Sequence, residues 1–213
     1  MSSVRITEIF SSIQGESTTV GAPTVFVRLT GCPLRCQYCD TAYAFTGGEK
    51  RTISDIVATV SDYGLSHVTV TGGEPLAQTQ CFELLEQLCN AGFAVSLETS
   101  GAISIEKVDP RVRTILDIKT PGSGEETKNL AANISFLKPG DEIKFVICDR
   151  KDYDYAVKKI DAHGLAKNHQ VLFSPSHTRV EPRELAEWMV ADKINARLQL
   201  QLHKYLWGDE PGR

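Results

Sequence analysis

Short β-branched runs recur along this chain, and each one ends in a polar motif before the next helical or irregular stretch begins. The runs cover residues 24–30, 67–71, 94–98, 113–119, 141–148 and 171–174. Between them, apolar residues at helical spacing mark residues 52–63 (Ile53, Ile56, Val57, Val60), 80–90 (Phe82, Leu84, Leu85, Leu88), 151–163 and 181–192. Strand, motif and helix in alternation predict a parallel sheet with right-handed crossovers. In a barrel-like parallel sheet the C-terminal strand ends share one mouth, so motifs far apart in sequence converge there. The chain has 213 residues, too few for eight full strand–helix units. The expected fold is therefore α/β, a partial, open (β/α)6-type barrel with trimmed helices, in a single domain over 1–213. A short strand at 6–10, a turn at 45–50, a helical or irregular piece at 127–137 and a last alternating strand at 198–202 complete the reading.

The loop after the strand at 24–30 carries the densest chemistry. Cys32, Cys36 and Cys39 form a C-x3-C-x2-C run, three thiols able to converge from one loop. A structural zinc site takes four protein ligands, and no fourth Cys or His lies close by. A disulfide would leave one thiol over. An iron–sulfur cluster takes four ligands, so three cysteines leave one iron open to a non-protein ligand. Cys81, Cys89 and Cys148 read as small core or surface residues, and His67, His163 and His169 as ordinary packing or surface histidines.

Composition narrows the setting. The residues are 41% hydrophobic and 23% charged, as in globular proteins, and the formal net charge is −4. That charge argues against bulk nucleic-acid binding, so if a nucleic-acid base lies downstream the expected substrate is a small precursor and not a polymer. No leader-like or membrane-spanning stretch is apparent, so a reducing cytoplasm is expected, where clustered cysteines are metal or redox sites.

Several residues have two readings on sequence alone. Arg28 lies in an otherwise apolar strand, where it either forms a salt bridge or clamps a carboxylate. Asp117 and Lys119 either pair with each other or contact a ligand. Glu98 is either a plain strand-end carboxylate or an acceptor for adjacent ring N–H and amino donors. In Thr71-Gly-Gly-Glu-Pro75 the two glycines let backbone press against a ligand, with bare N–H groups available to it.

With an aromatic residue, Tyr38, before its third cysteine, the cysteine run resembles the radical S-adenosylmethionine (SAM) superfamily. Further motifs are Ser12-Ile-Gln-Gly-Glu16, Cys39-Asp-Thr41, Thr71-Gly-Gly-Glu-Pro75, Glu98-Thr-Ser-Gly101, Asp117-Ile-Lys-Thr-Pro121 and His203-Lys-Tyr-Leu-Trp-Gly208. In that order they resemble the 7-carboxy-7-deazaguanine synthases of the deazapurine (queuosine) pathway, over nearly the whole chain. The resemblance implies a carbon–nitrogen lyase that converts 6-carboxy-5,6,7,8-tetrahydropterin to 7-carboxy-7-deazaguanine with loss of ammonia. It implies initiation by a 5′-deoxyadenosyl radical from SAM cleaved at a [4Fe-4S] cluster.

Carried over position by position, the resemblance implies cluster ligation by Cys32, Cys36 and Cys39. It implies SAM contacts from Tyr38, Asp40, Gly73, Glu74, Ser100, Asp117, Lys119, Ser174, Pro175, Ser176 and His177. Substrate contacts are expected from Ile13, Gln14, Gly15, Arg28, Thr71, Glu98 and His203, and Mg2+ at Thr41. No residue is assigned as a general acid or base. Implied partners are the pterin substrate and a reducing protein such as a flavodoxin or ferredoxin, in a homodimer with neither nucleic acid nor membrane bound directly. The tail over 203–213 is expected to close on the active site or to lie in a dimer contact. Two rivals remain at this point. A glycyl-radical-enzyme activase shares the cysteine spacing but acts on a protein, and a non-catalytic zinc module would hold zinc without iron or sulfide.

Overall fold

The computed structural model describes residues 2–177, 179–208, 210 and 212. In chain order it runs β1 (Ser3–Ile13), β2 (Pro23–Leu29), β3 (Glu49–Thr52), α1 (Ile53–Asp62), β4 (His67–Gly72), α2 (Cys81–Asn90), β5 (Ala94–Thr99) and β6 (Arg113–Asp117). There follow α3 (Asn133–Phe136), β7 (Glu142–Ile147), α4 (Arg150–His163), α5 (Leu165–Asn168), β8 (Gln170–Pro175), α6 (Pro182–Ala191), β9 (Arg197–Leu198) and α7 (Leu202–Trp207). The strands form one sheet in the order β3-β1-β2-β4-β5-β6-β7-β8-β9. From β2 to β9 all neighbours are parallel, whereas β1 pairs antiparallel with both β2 and β3. The six expected parallel strands are β2 and β4 to β8.

Side-chain alternation divides the sheet into two faces. Val25, Val27, Leu29, Val68, Val70, Val95 and Leu97 face one hydrophobic cluster with α1 and α2. Leu116, Ile143, Phe145, Ile147, Val171 and Phe173 face a second with α4 and α6. Residues of the opposite parity, Phe26, Arg28, Thr71, Glu98, Ile115, Asp117, Lys144, Val146 and Ser174, line a cavity on the other face. Local chemistry ends the helices where the core contact ends. Thr52 caps α1 by accepting from the Asp55 N–H (3.2 Å), and Asp149 caps α4 by accepting from that of Asp152 (2.9 Å). Gly164 stops α4 in the left-handed region.

The sheet is curved. β1 and β7 stand five strand spacings apart in the pairing order, about 24 Å in a flat sheet. Yet Thr18, just past β1, receives the Glu142 carboxylate on its N–H (3.0 Å) and hydroxyl, and Glu16 pairs with Lys144 of β7. Only curling of the sheet brings these groups together, which fits the expected open barrel.

Three local expectations need correction. The alternation at 198–202 does not continue as a strand: β9 stops at Leu198, Leu200 is exposed, and α7 starts at Leu202. His203 is therefore a helical residue. The 45–50 turn leads into β3, whose polar Glu49-Lys-Arg-Thr52 sequence carries no apolar alternation. Finally, the Gln14–Glu16 motif leaves the C-terminal end of β1, but β1 runs against β2 with Ile13 opposite Pro23. The motif thus reaches the cavity from the end where the parallel strands begin, opposite the cysteine loop. Asp209, Pro211 and Arg213 lie outside the described residues, and with them most of the tail expectation. Among the described residues no helix is long and apolar enough to cross a membrane.

Candidate active site

One cavity of about 520 Å³ gathers the motifs. Cys32, Cys36 and Cys39 line it from the loop after β2, and all three are free and partly buried. Burial pushes the thiols of Cys32 and Cys36 above their ordinary value; beside Cys36, Lys119 pulls the other way. A bound metal centre would have to supply the attraction that makes them thiolates. Among the described residues, no three His, Cys, Asp or Glu side chains gather closely enough for one metal ion. Three cysteines suit three irons of a cluster with the fourth left open, whereas a structural zinc site takes four protein ligands.

The Gly72-Gly73-Glu74 segment packs directly on the cysteine loop. A Cβ on Gly73 would come within 2.3 Å of the Gly31 carbonyl oxygen and 2.7 Å of the Cys32 Cβ. The expected bare N–H groups are not bare: Gly73 donates to the Leu29 carbonyl (3.2 Å) and Glu74 to that of Gly31 (2.9 Å). Glu74 does not line the cavity. Its fully buried carboxylate accepts from Leu76 N–H (3.0 Å), the Thr99 hydroxyl (2.9 Å), Ser100 N–H (2.7 Å) and the Ser100 hydroxyl (2.5 Å). It latches the loop after β4 to the loop after β5.

At the same end lie Tyr38, Asp117, Lys119, Ser100, Ser174, Pro175, Ser176 and His177. Lys119 pairs with Asp117 at 3.0 Å and sits 5.8 Å from the Tyr38 ring centre. Burial opposes the Lys119 charge, but Asp117 and Cys36 outweigh it and hold its pKa up. The Tyr38 hydroxyl and Asp117 Oδ1 are buried without a hydrogen-bond partner among the described residues. Buried polar atoms want partners, and these two suit a ligand rich in hydroxyl and amino groups.

The same cavity is also lined by Gln14, Gly15, Arg28, Thr71, Glu98 and His203. Ile13 ends β1 and does not line the cavity. The Gln14 side chain is already engaged: its amide donates to the Thr69 hydroxyl (3.0 Å) and its oxygen accepts from Glu16 N–H (3.1 Å). Gly15 lies against His203, where a Cβ would stand 2.0 Å from the imidazole Nδ1. Thr71 donates to Glu98 at 2.9 Å. Burial, then the charge of Glu16, raises the Glu98 pKa. Burial lowers that of His203, favouring the neutral imidazole.

A model of the radical SAM superfamily matches residues 26–189. The chain is 45% identical to the 7-carboxy-7-deazaguanine synthase of Chlorobaculum tepidum, over 97% of this chain and 96% of that one. It is 43% identical to the one from Koribacter versatilis, over 97% and 98%. The chain belongs to the 7-carboxy-7-deazaguanine synthase family. A crystal structure of QueE from Escherichia coli shares the fold, with a TM-score of 0.79 at 24% identity over 94% of this chain and 95% of that one.

As a synthase of this radical SAM family, the protein is an enzyme with a [4Fe-4S] cluster, SAM and a small-molecule substrate. Its cavity also holds groups given no role from the sequence: Glu16 and Lys204, inside the quoted motifs, and Lys144 and Gln201, outside them. Lys144 pairs with Glu16. Burial opposes its charge, but Glu16, Asp117 and Glu98 outweigh burial and raise its pKa. A lysine opposite in parity to Ile143, Phe145 and Ile147 was the sequence signal available. Asp40 accepts from the Thr41 hydroxyl (2.8 Å) and from Gln201 (3.4 Å). Burial pushes its carboxyl up, but Thr41, Lys144 and Lys204 outweigh that and hold it below its ordinary value.

Proposed function

We propose that the two ends of this cavity divide the reaction, the cysteine end holding cluster and SAM and the Arg28–Glu98–His203 end holding 6-carboxy-5,6,7,8-tetrahydropterin. The observation that carries this reading is their union in one cavity, lined by all three cysteines and by cationic and carboxylate groups that suit a carboxylated pterin. When bound, the reduced cluster and SAM supply a 5′-deoxyadenosyl radical that takes a hydrogen atom from a C–H bond. The product is 7-carboxy-7-deazaguanine, with loss of ammonia.

The protein's part is placement and exclusion of water. Cys32, Cys36 and Cys39 hold three irons. Tyr38, Asp117, Ser100 and the 174–177 segment bind SAM; Lys119 holds Asp117 in place through their ion pair, and Glu74 acts through Ser100. Glu98 accepts two parallel hydrogen bonds from the pterin's ring N–H and amino group. Gln14, whose side chain and backbone groups are all paired within the fold, forms part of the wall beside the pterin. Arg28 and neutral His203 take the carboxylate side. Thr41 presents one hydroxyl beside the Asp40 carboxylate, a donor set that suits Mg2+, which takes few protein oxygens and completes its shell from substrate and water.

The reducing partner is a flavodoxin- or ferredoxin-type protein, the setting is cytoplasmic, and the product feeds deazapurine synthesis. The assembly is a homodimer, for which exposed Leu200, Tyr205 and Leu206 offer apolar surface. The test is anaerobic turnover of reconstituted protein with reductant, SAM, Mg2+ and the pterin, followed by mass spectrometry. The expected product is 7-carboxy-7-deazaguanine. Formation of 5′-deoxyadenosine alone would overturn the substrate, and zinc-loaded protein yielding neither would overturn the cluster.

A further inference from the structure

We propose that Glu8, which lies outside the cavity, is a positioning residue that aims Arg28 at a ligand carboxylate and so sets the preference for carboxylated substrate. The inference rests on the reading that Arg28 binds that carboxylate.

The register of β1 against β2 places Glu8 opposite Arg28, and it does so through an irregularity. Ile6 pairs with Leu29, the register then shifts, and Glu8 pairs with Arg28. Continued without the shift, the ladder would set Thr7 opposite Arg28 and Glu8 opposite Val27, turning Glu8 to the core face. The bulge therefore brings a carboxylate to the cavity side of the sheet.

The contacts define what Glu8 does there. Arg28 donates through Nε to Glu8 Oε1 at 2.6 Å, and the Tyr43 hydroxyl donates to the same oxygen at 2.7 Å. The guanidinium carbon lies 5.9 Å from the ring centres of both Phe10 and Tyr43. Arg28 lines the cavity and Glu8 does not. With Nε anchored and two rings beside it, the guanidinium has its direction fixed. Its terminal nitrogens have no recorded hydrogen-bond partner among the described residues, which leaves them as the fork for two carboxylate oxygens. Because Glu8 offsets much of the Arg28 charge, recognition becomes directional and not merely electrostatic. Tyr43 lies two positions after Thr41, so the same carboxylate also ties the segment after the cysteine loop to β1.

The test uses the reconstituted holoenzyme. KM and kcat are measured with 6-carboxytetrahydropterin, and competitive inhibition constants with a tetrahydropterin lacking the 6-carboxylate. Glu8→Ala is expected to raise KM about ten-fold, the scale of one charge-assisted hydrogen bond, with kcat nearly kept and inhibition by the carboxylate-free ligand unchanged. Glu8→Gln keeps an acceptor oxygen without the charge and is expected to fall between. It carries the test alone if the alanine variant does not fold. Arg28→Ala should lose most of the preference, leaving only what His203 contributes. If both Glu8 variants keep the wild-type preference while Arg28→Ala loses most of it, the role of Glu8 is refuted and that of Arg28 stands. If Arg28→Ala keeps the preference as well, the carboxylate reading fails and this proposal with it.

Discussion

The Lys144 ammonium donates to the Glu16 carboxylate across a sequence separation of 128 residues, joining the middle of β7 to the segment that follows β1. The pair pins the 14–18 segment inside the curled sheet and sets a cation close to Glu98. Substituting one partner leaves a buried charge alone, which costs about 3–5 kcal/mol. Lys144→Met should therefore lower Tm markedly, and Lys144→Met combined with Glu16→Gln should recover part of the loss. Thermal melts of the single and double variants measure the coupling.

Glu98 gives the ligand-free protein a pH dependence of known sign. Burial and then Glu16 raise its folded pKa above that of the unfolded chain; Lys144, Thr71 and Arg28 pull against them without cancelling the shift. The stability this group contributes is full below the ordinary glutamate pKa and is lost as pH rises through the raised folded value. Glu98→Gln removes that loss. Its Tm should exceed that of wild type near neutral pH. The gain should shrink toward acid pH. The same variant should bind pterin more weakly, because an amide cannot accept two parallel N–H bonds. Melts across pH and pterin titrations check both halves.

Glu74 links two loops through one fully buried carboxylate with four donors. Glu74→Gln turns an NH2 group toward some of those donors, costing about 1–3 kcal/mol. The expected result is a lower Tm and weaker SAM binding, since Ser100 loses its anchor. Cys81→Ser, a change at the start of α2 and outside the cavity lining, should leave SAM binding intact in the folded fraction.

Gly15→Ala drives a methyl group into His203, given the 2.0 Å approach to Nδ1. Pterin affinity and turnover should both fall. His203→Ala removes the ring that is struck, so the double variant should be more stable than the sum of the single effects predicts. Additive Tm changes would contradict the contact.

The parallel sheet was legible because its strands keep period-two alternation, with one parity in the helix-covered core and the other in the cavity. Arg28, Glu98 and Asp117 broke that apolar pattern and stood out. Lys144 broke it in the same way, but no short motif surrounds it. β3 was hidden because Glu49-Lys-Arg-Thr52 is a polar edge strand that buries little. The strand expected at 198–202 failed because alternation of Leu198, Leu200 and Leu202 does not say whether anything pairs with it. The Glu8–Arg28 contact depends on a bulge, and a one-residue register shift leaves no local signature. Glu74 belongs to a motif whose glycines pack on the cysteine loop, but its own side chain turns inward to hold the loops.

The account's central claim is that one cavity brings the SAM end and the pterin end within reach of a single hydrogen transfer. Anaerobic turnover with 6-carboxytetrahydropterin deuterated at C6 tests it most directly. The account predicts deuterium in the 5′-deoxyadenosine formed, together with 7-carboxy-7-deazaguanine. Unlabelled 5′-deoxyadenosine alongside substrate that keeps its deuterium would contradict it.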